Sequence, residues 1–366
     1  MEVDVAIIGA GPGGSTLAAL LAARAVNVAL IDRDSFPRDK LCGEFLSYDA
    51  LPILDHLGID LGNVPHIHQC RVVARRRTYE FDFPHAARGT SRMFIDALLF
   101  RTAIARGATP HEGVTVASLE DVNARVIVGA WGRWGRFDTQ LRRRFVRDRS
   151  HRNFGFKRHY RGVPNEGTIE LYSFGRGYLG VSDVEDGVTN ICGLVHASRL
   201  AGHKGKWDSF VDMIRSEEPS LETLYSRYAP AQENFLSSEP VIFRARSPVE
   251  RGVFMVGDAS GVIDPLTGNG MAMAIQSALV LAPLIVRLLA HPDERGAIER
   301  EYRARHAAMF RPRIAWSRRV ASLLSRPALL DASLRAVRGR AAGELLLRRT
   351  RADRDEVARL ADAWFG

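Results

Sequence analysis

Cysteine is scarce in this chain of 366 residues: Cys42, Cys70 and Cys192, without regular spacing. An odd, unpatterned set argues against a disulfide framework and a zinc cage and predicts reduced thiols. His66, His68 and Cys70 alternate along an expected strand, yet no second ligand cluster accompanies them, so no metal is expected. The opening MEVDVAIIGAG lacks a basic leader and a small-residue cleavage site, so no secretory signal is expected and the expected location is cytoplasmic. The stretch most like a membrane span, Met271 to Ala290, is interrupted by Gln276, Pro283 and Arg287, each costly in lipid, and reads as a buried helix. Low-complexity tracts, internal repeats and long Ser/Gly linkers are lacking, so the chain is expected to cross between domains without a hinge-like separator.

What is present is ordinary globular material, 46% hydrophobic and 25% charged, long enough for two or three domains' worth of core. The formal net charge is +9, much of it arginine scattered from Arg311 to Arg354. There, RPRIAWSRRVASLLSRPALL interleaves basic and apolar residues at helical spacing: a packed amphipathic helix, with weak contact to anionic lipid as the alternative. Nucleic-acid binding is not expected, because the cations are dispersed rather than clustered into a phosphate track.

VDVAIIGAG is a continuous apolar run suited to a strand buried on both faces, GPGGSTLAALLAARA a glycine turn opening a helix, and NVALIDRD the next strand. That is a βαβ unit. Residues 91–108 carry helical spacing, 153–195 are rich in β-branched and aromatic residues with Gly and Asp punctuation, WDSFVDMI is amphipathic helix, GVFMVGD is a buried strand, and Gly270 onward is mostly helical. The order predicts an α/β core with an inserted antiparallel β-sheet.

Gly9, Gly11 and Gly14 form G-x-G-x-x-G between strand and helix, and Asp32 ends the second strand. Glycines allow a backbone to approach a pyrophosphate, the helix N-terminus offers free N–H groups, and the carboxylate accepts from ribose hydroxyls. An acid at 32 favours FAD or NAD over NADP. A second cluster, RGVFMVGDASGVIDPLTGNGMAMAIQSA, sets Asp258 at a strand end and a Gly268–Asn269–Gly270 turn at the start of a long helix.

With these motifs the chain resembles the FAD-dependent oxidoreductase and monooxygenase superfamily of the para-hydroxybenzoate hydroxylase fold, in its geranylgeranyl-reductase-like branch. FPRDKLCGEFLS is similar to that branch's FPRxKxCGE segment, Arg92 with Ile95, Asp96 and Leu99 matches its R-x-x-F-D-x-x-L helix, and GYLGVSDVEDGVTNICGLV looks like its substrate-domain strands. The resemblance covers residues 1–290 and implies FAD as cofactor, with NADPH or NADH as reductant. It implies cofactor contacts from Gly9, Gly11, Pro12, Gly13, Gly14, Ser15, Asp32, Arg33, Cys42, Gly43, Arg92, Val116, Trp131, Gly132, Asp258, Pro265, Gly268, Asn269, Gly270 and Met271. Asp258 would bind the ribityl chain, and the turn at 268–271 would face the flavin pyrimidine edge with a helix dipole that suits anionic reduced flavin. Cys42 is the candidate catalytic residue, a thiol able to protonate an alkene carbon.

The implied architecture is a glutathione-reductase-like Rossmann FAD-binding domain (1–60, 88–140 and 240–300), an antiparallel β-sheet substrate domain (61–87 and 141–239) and a C-terminal helical region (301–366). Two departures stand out. Where the superfamily shows G-A-D-G this chain has Gly129-Ala130-Trp131-Gly132, and the segment from HEGVTVASL to NARVIVGA is too short for the usual extra hairpin. The Trp-rich signature and lysine expected of flavin-dependent halogenases are missing, as is the YxWxFP-type signature of isoprenoid reductases. The leading expectation is a monooxygenase that hydroxylates an aromatic or apolar small molecule through a flavin C4a-hydroperoxide, with O2 as co-substrate. The alternatives are a flavin-dependent reductase of C=C bonds in an isoprenoid or lipid, and a flavin-binding module without catalysis.

Overall fold

The computed structural model describes residues 3–75, 77–148, 153–200, 202–203, 206–336 and 339–366. The apolar run β1 (Val3–Ile8) and the strand β2 (Val28–Ile31) pair in parallel, joined by the helix α1 (Pro12–Ala22). They belong to a six-stranded sheet in the order 249–250, 253–255, 124–129, 3–8, 28–31, 109–111, parallel except for the antiparallel pair at its first edge. Crossovers bury both faces, which is why these strands read as continuous apolar runs. Between His111 and Ala124 no strand forms among the described residues, so the hairpin expected to be trimmed is missing.

The second sheet has nine strands, in the order 228–230, 153–162, 188–196, 177–184, 168–174, 66–74, 77–89, 45–46, with 236–237 also pairing 153–162. Its one parallel pair, 66–74 with 168–174, lies where two segments of chain separated by a return to the first sheet are laid side by side. Hairpins need antiparallel neighbours; segments arriving separately do not. Phe45–Leu46, inside the segment expected to belong wholly to the cofactor domain, instead extends this second sheet.

The helix Gly270–Ala290 lies against α1 and against the helix Arg295–Leu324, with Met271 to Leu279, Leu281, Ala282, Leu284, Ile285 and Leu288 buried. It is apolar and long enough to cross a membrane, yet its apolar side chains are consumed by the core. Arg295–Leu324 runs unbroken through the boundary expected at 300 and buries Tyr302, Phe310, Ile314, Ala321 and Leu324. The basic tail is thus a packed structure, followed by helices Pro327–Ala336, Ala341–Thr350 and Arg354–Phe365. In the strand His66–Ala74 an irregularity between Ile67 and Gln69 breaks the alternation, so His66 and His68 are exposed while Cys70 enters the core. Among the described residues no group of three potential metal ligands comes together.

Candidate flavin and substrate cavity

A cavity of about 660 Å³ runs between the two sheets. That volume is within the range of small-molecule and cofactor sites. At one end lies the glycine turn. Gly9 has φ +110°, and a Cβ there would stand 2.3 Å from the Ala130 carbonyl oxygen, so this position serves the approach of strand and loop. A Cβ on Gly11 would meet only the Arg92 guanidinium, at 3.8 Å, so the backbone here faces open cavity beside a cation. That is the arrangement a pyrophosphate needs. Arg92 is held by Asp96 through bonds of 2.7 and 2.6 Å; burial opposes its charge, but the carboxylate more than compensates and raises its pKa.

Asp32 is partly committed. Its Oδ2 accepts from the Ala10 N–H at 2.7 Å and from Arg38 Nη2 at 2.8 Å, and Oδ1 from the Asp34 N–H at 3.0 Å. Arg38 stacks over Phe36 at 4.4 Å, and its buried Nε and Nη1 have no hydrogen-bond partner. Nη1 lies 3.6 Å from Asp34 Oδ2, an ion pair without a hydrogen bond, so guanidinium donors at the nucleotide end are left for an anionic or hydroxylated group supplied by a ligand. Lys40 also lines the cavity, its pKa lowered to about 8 by burial and then by the neighbouring Arg38 and Arg92.

Of the residues expected at the cofactor, Gly9, Gly11, Pro12, Gly13, Gly14, Asp32, Arg33, Cys42, Gly43, Arg92, Val116, Trp131, Gly132, Asp258, Pro265, Gly268, Gly270 and Met271 line this one cavity. Two side chains turn away. Ser15 Oγ donates to the Ala10 carbonyl at 3.0 Å, and Asn269 Nδ2 donates to the buried Asp49 carboxylate at 3.2 Å. Both are turn-holding contacts.

Trp131 is a packing residue of its loop. Its ring occupies the space that a Cβ would take at Gly129 or Gly135, lies 5.0 Å from the Phe137 ring, and its Nε1 donates to Asp138 Oδ1 at 3.3 Å. An acid does reach this loop, from seven residues downstream, but Asp138 is committed to the Gly135 N–H at 2.8 Å and to Arg143 at 2.9 Å.

At the other end the walls are apolar: Ile169, Leu171, Leu194, Phe243, Val262 and Leu266. Three proton-bearing groups join them. Cys42 is half-buried, and its Sγ accepts from the Glu44 N–H at 3.4 Å. Burial pushes the Cys192 thiol up to about 12. Tyr178 donates to Asp264 Oδ1 at 2.5 Å; burial raises the Asp264 carboxyl to about 6.

Beneath Cys42 is a network the sequence did not signal. Glu44, fully buried at φ +56°, accepts from Lys157 Nζ at 2.6 Å and the Arg92 N–H at 3.0 Å through Oε1, and lies 2.7 Å from His159 Nε2 through Oε2. Lys157 also donates to Asp39 Oδ1 at 2.6 Å. Burial alone would raise the Glu44 pKa and lower that of Lys157, but His159 and Lys157 outweigh it on Glu44, and Glu44 and Asp39 outweigh it on Lys157. Both stay charged. The hint was Glu44's place in the CGE segment, but partners more than a hundred residues away are not readable from spacing.

Fold and site together define a two-sheet flavoprotein. The model of the FAD binding domain family matches residues 2–126, and that of the squalene epoxidase family residues 222–308. A tryptophan 2-halogenase of Chondromyces crocatus is 24% identical over 362 residues, covering 88% of this chain and 67% of that protein. A digeranylgeranylglycerophospholipid reductase of Methanothermobacter thermautotrophicus is 24% identical over 332 residues, covering 80% and 79%. In fold, the chain resembles the flavin-dependent halogenase CmlS (TM-score 0.75, 22% identity, 100% of this chain and 70% of that one). It equally resembles a geranylgeranyl bacteriochlorophyll reductase-like protein of Thermoplasma acidophilum (TM-score 0.75, 17% identity, 99% of both chains). Residues 2–126 are thus an FAD binding domain, and the chain is an FAD-dependent oxidoreductase whose fold is that of flavin-dependent halogenases and geranylgeranyl-reductase-like proteins.

Proposed function

We propose that this flavoenzyme reduces a C=C bond of an apolar, isoprenoid- or lipid-like molecule. The observation that carries the reading is the set of side chains able to donate a proton, Cys42, Tyr178 and Cys192, lining the same cavity as the apolar wall and the cofactor-binding turns. When bound and reduced, FAD supplies the hydride. The chain's part is to exclude water with the apolar wall and to hold a proton at Cys42 Sγ for the second alkene carbon. The thiolate left behind is stabilised by the Glu44 N–H at 3.4 Å and by the field of Arg92, and takes its next proton from solvent.

Hydroxylation, the leading expectation from sequence, is the second reading, and the similarity to a halogenase along 88% of the chain favours a member that activates oxygen. Halogenation itself is disfavoured: the lysine among the described cavity residues is Lys40, whose amine lies at the nucleotide end, 3.8 Å from Asp34.

The test is a single turnover of the FAD-loaded, dithionite-reduced protein under anaerobic conditions, with a digeranylgeranylglycerophospholipid and with squalene. Reduction predicts flavin reoxidation and a product heavier by two hydrogens per double bond. Product formed only after oxygen is admitted, with an added oxygen atom, would replace this reading by the hydroxylase.

A further inference from the structure

A second cavity, of about 570 Å³, opens on the same face of the nine-stranded sheet as the first but further toward its edge, between the strand Arg77–Gly89 and the last two helices. Its floor is aromatic: Phe81, Phe83 and Tyr48, with Phe81 and Phe83 rings 6.1 Å apart and Tyr48 and Phe83 rings 6.4 Å apart. At its depth is Arg351, 9% exposed, lying over the rings of Phe45 at 5.8 Å and Phe83 at 5.9 Å. Its Nη1 donates to Thr350 Oγ1 at 3.2 Å, whereas its buried Nε has no hydrogen-bond partner. It makes no salt bridge among the described residues. The Tyr48 hydroxyl likewise makes no hydrogen bond there.

A buried guanidinium with an idle donor and no carboxylate in contact is costly, and an anion brought from outside removes that cost. The buried Asp49 carboxylate acts on Arg351 through its field but forms no salt bridge with it, being engaged by Asn269, Gln276 and the Ala352 N–H, and the acids around this cavity do not fill the role either. Asp82 is at the rim and paired with Arg340 at 3.1 Å, Asp353 caps the last helix by accepting from the Asp355 and Glu356 N–H groups, and Glu344 and Asp355 are exposed. Arg348 and Arg354 add positive charge at the entrance.

We propose that this cavity is a second binding site, for a small organic anion: a carboxylate or phosphate on a flat apolar body. The anionic group takes the idle Arg351 Nε and the Tyr48 hydroxyl, and the body stacks on Phe83 and Phe81. Planar guanidinium and aromatic faces in one cleft select that combination over a neutral hydrophobe. The proposal is independent of the reaction assigned to the flavin cavity.

The test is titration of the FAD-loaded full chain with 2-naphthoate, 2-naphthyl phosphate and the neutral 2-naphthamide, followed by calorimetry. One saturable site is expected, with the anions at least about tenfold tighter than the amide, a difference near 1.4 kcal/mol. Arg351→Gln should abolish that preference, and the rim variant Arg348→Glu, which leaves the buried structure untouched, should weaken the anions several-fold without affecting the amide. Preference for the phosphate over the carboxylate would identify the anion further. Equal binding of anion and amide, anion binding unchanged in Arg348→Glu and Arg351→Gln, or displacement of FAD by the anions would overturn the proposal.

Discussion

Two buried cations in this fold are compensated in opposite ways. Lys157 is fully enclosed and has two carboxylates, Glu44 and Asp39, each at 2.6 Å. Arg351 is nearly as enclosed, and its guanidinium meets two aromatic faces and a threonine hydroxyl but, among the described residues, no carboxylate in contact, with Asp49 acting only through its field. The first is a closed account within the chain and holds the Cys42 segment in place. The second is left open, and the difference separates a charge kept for structure from one kept for something that arrives. Asp264 is the intermediate case: a buried acid with a tyrosine hydroxyl and a backbone N–H for partners and, among the described residues, no cation in salt-bridge contact, only the field of Arg318.

The comparison breaks most visibly at Lys157. Lys157→Met strands Glu44 in the core and should cost about 3–5 kcal/mol in urea unfolding, whereas adding Glu44→Gln to it should recover a good part of that loss. A loss below about 1 kcal/mol in the single variant would mean the network is not held together as described.

Asp264 gives the intermediate effect. Its native carboxyl keeps a proton up to about 6 against 3.8 for an aspartate in the unfolded chain, because burial disfavours the charge. The folded state therefore binds more protons between those values, and this residue's contribution to stability falls as pH rises through that window, by roughly 2–3 kcal/mol. Asp264→Asn should remove that slope from the pH dependence of unfolding; an unchanged slope would show that the group ionises normally. Glu44 has the opposite sign. Its lowered pKa gives stability that is present above the ordinary carboxylate range and is lost as pH falls through its folded value.

The smallest effect belongs to Arg351. Arg351→Met breaks no salt bridge among the described residues; it removes one of the two cations that favour the charged form of the buried Asp49, which keeps Arg313 and its hydrogen bonds, so stability should fall by about 1–2 kcal/mol, well short of the loss at Lys157. A loss as large as that at Lys157 would mean that Arg351 is compensated within the chain.

Local chemistry made much of this legible in the sequence. The G-x-G-x-x-G turn, Asp258 and the 268–271 turn are contiguous motifs whose function depends on the backbone next to them, and most of their residues line one cavity. The abundance of β-branched and aromatic residues with Gly and Asp punctuation over 153–195 announced the large sheet, though not its parallel pair, since strand order is decided by contacts far along the chain. Arg38's idle nitrogens, the Glu44–Lys157–His159 network and the Arg351 cleft were hidden for the same reason. In sequence the tail around Arg351 reads only as a basic amphipathic helix; which arginine is drawn inward depends on Phe45 and Phe83, some 270 to 300 residues earlier. Trp131 was visible as a departure, but its packing role required seeing Gly129, Gly135 and Asp138 close around the ring.

The most direct test of the central claim is the rate at which an unsaturated isoprenoid lipid reoxidises the dithionite-reduced flavin without oxygen, compared between the wild-type chain and Cys42→Ala, each with FAD bound. The account predicts slowing by about a hundredfold or more in the variant, the size expected for a lost proton donor. Equal rates in the two proteins, or no reoxidation in either until oxygen is added, would contradict it.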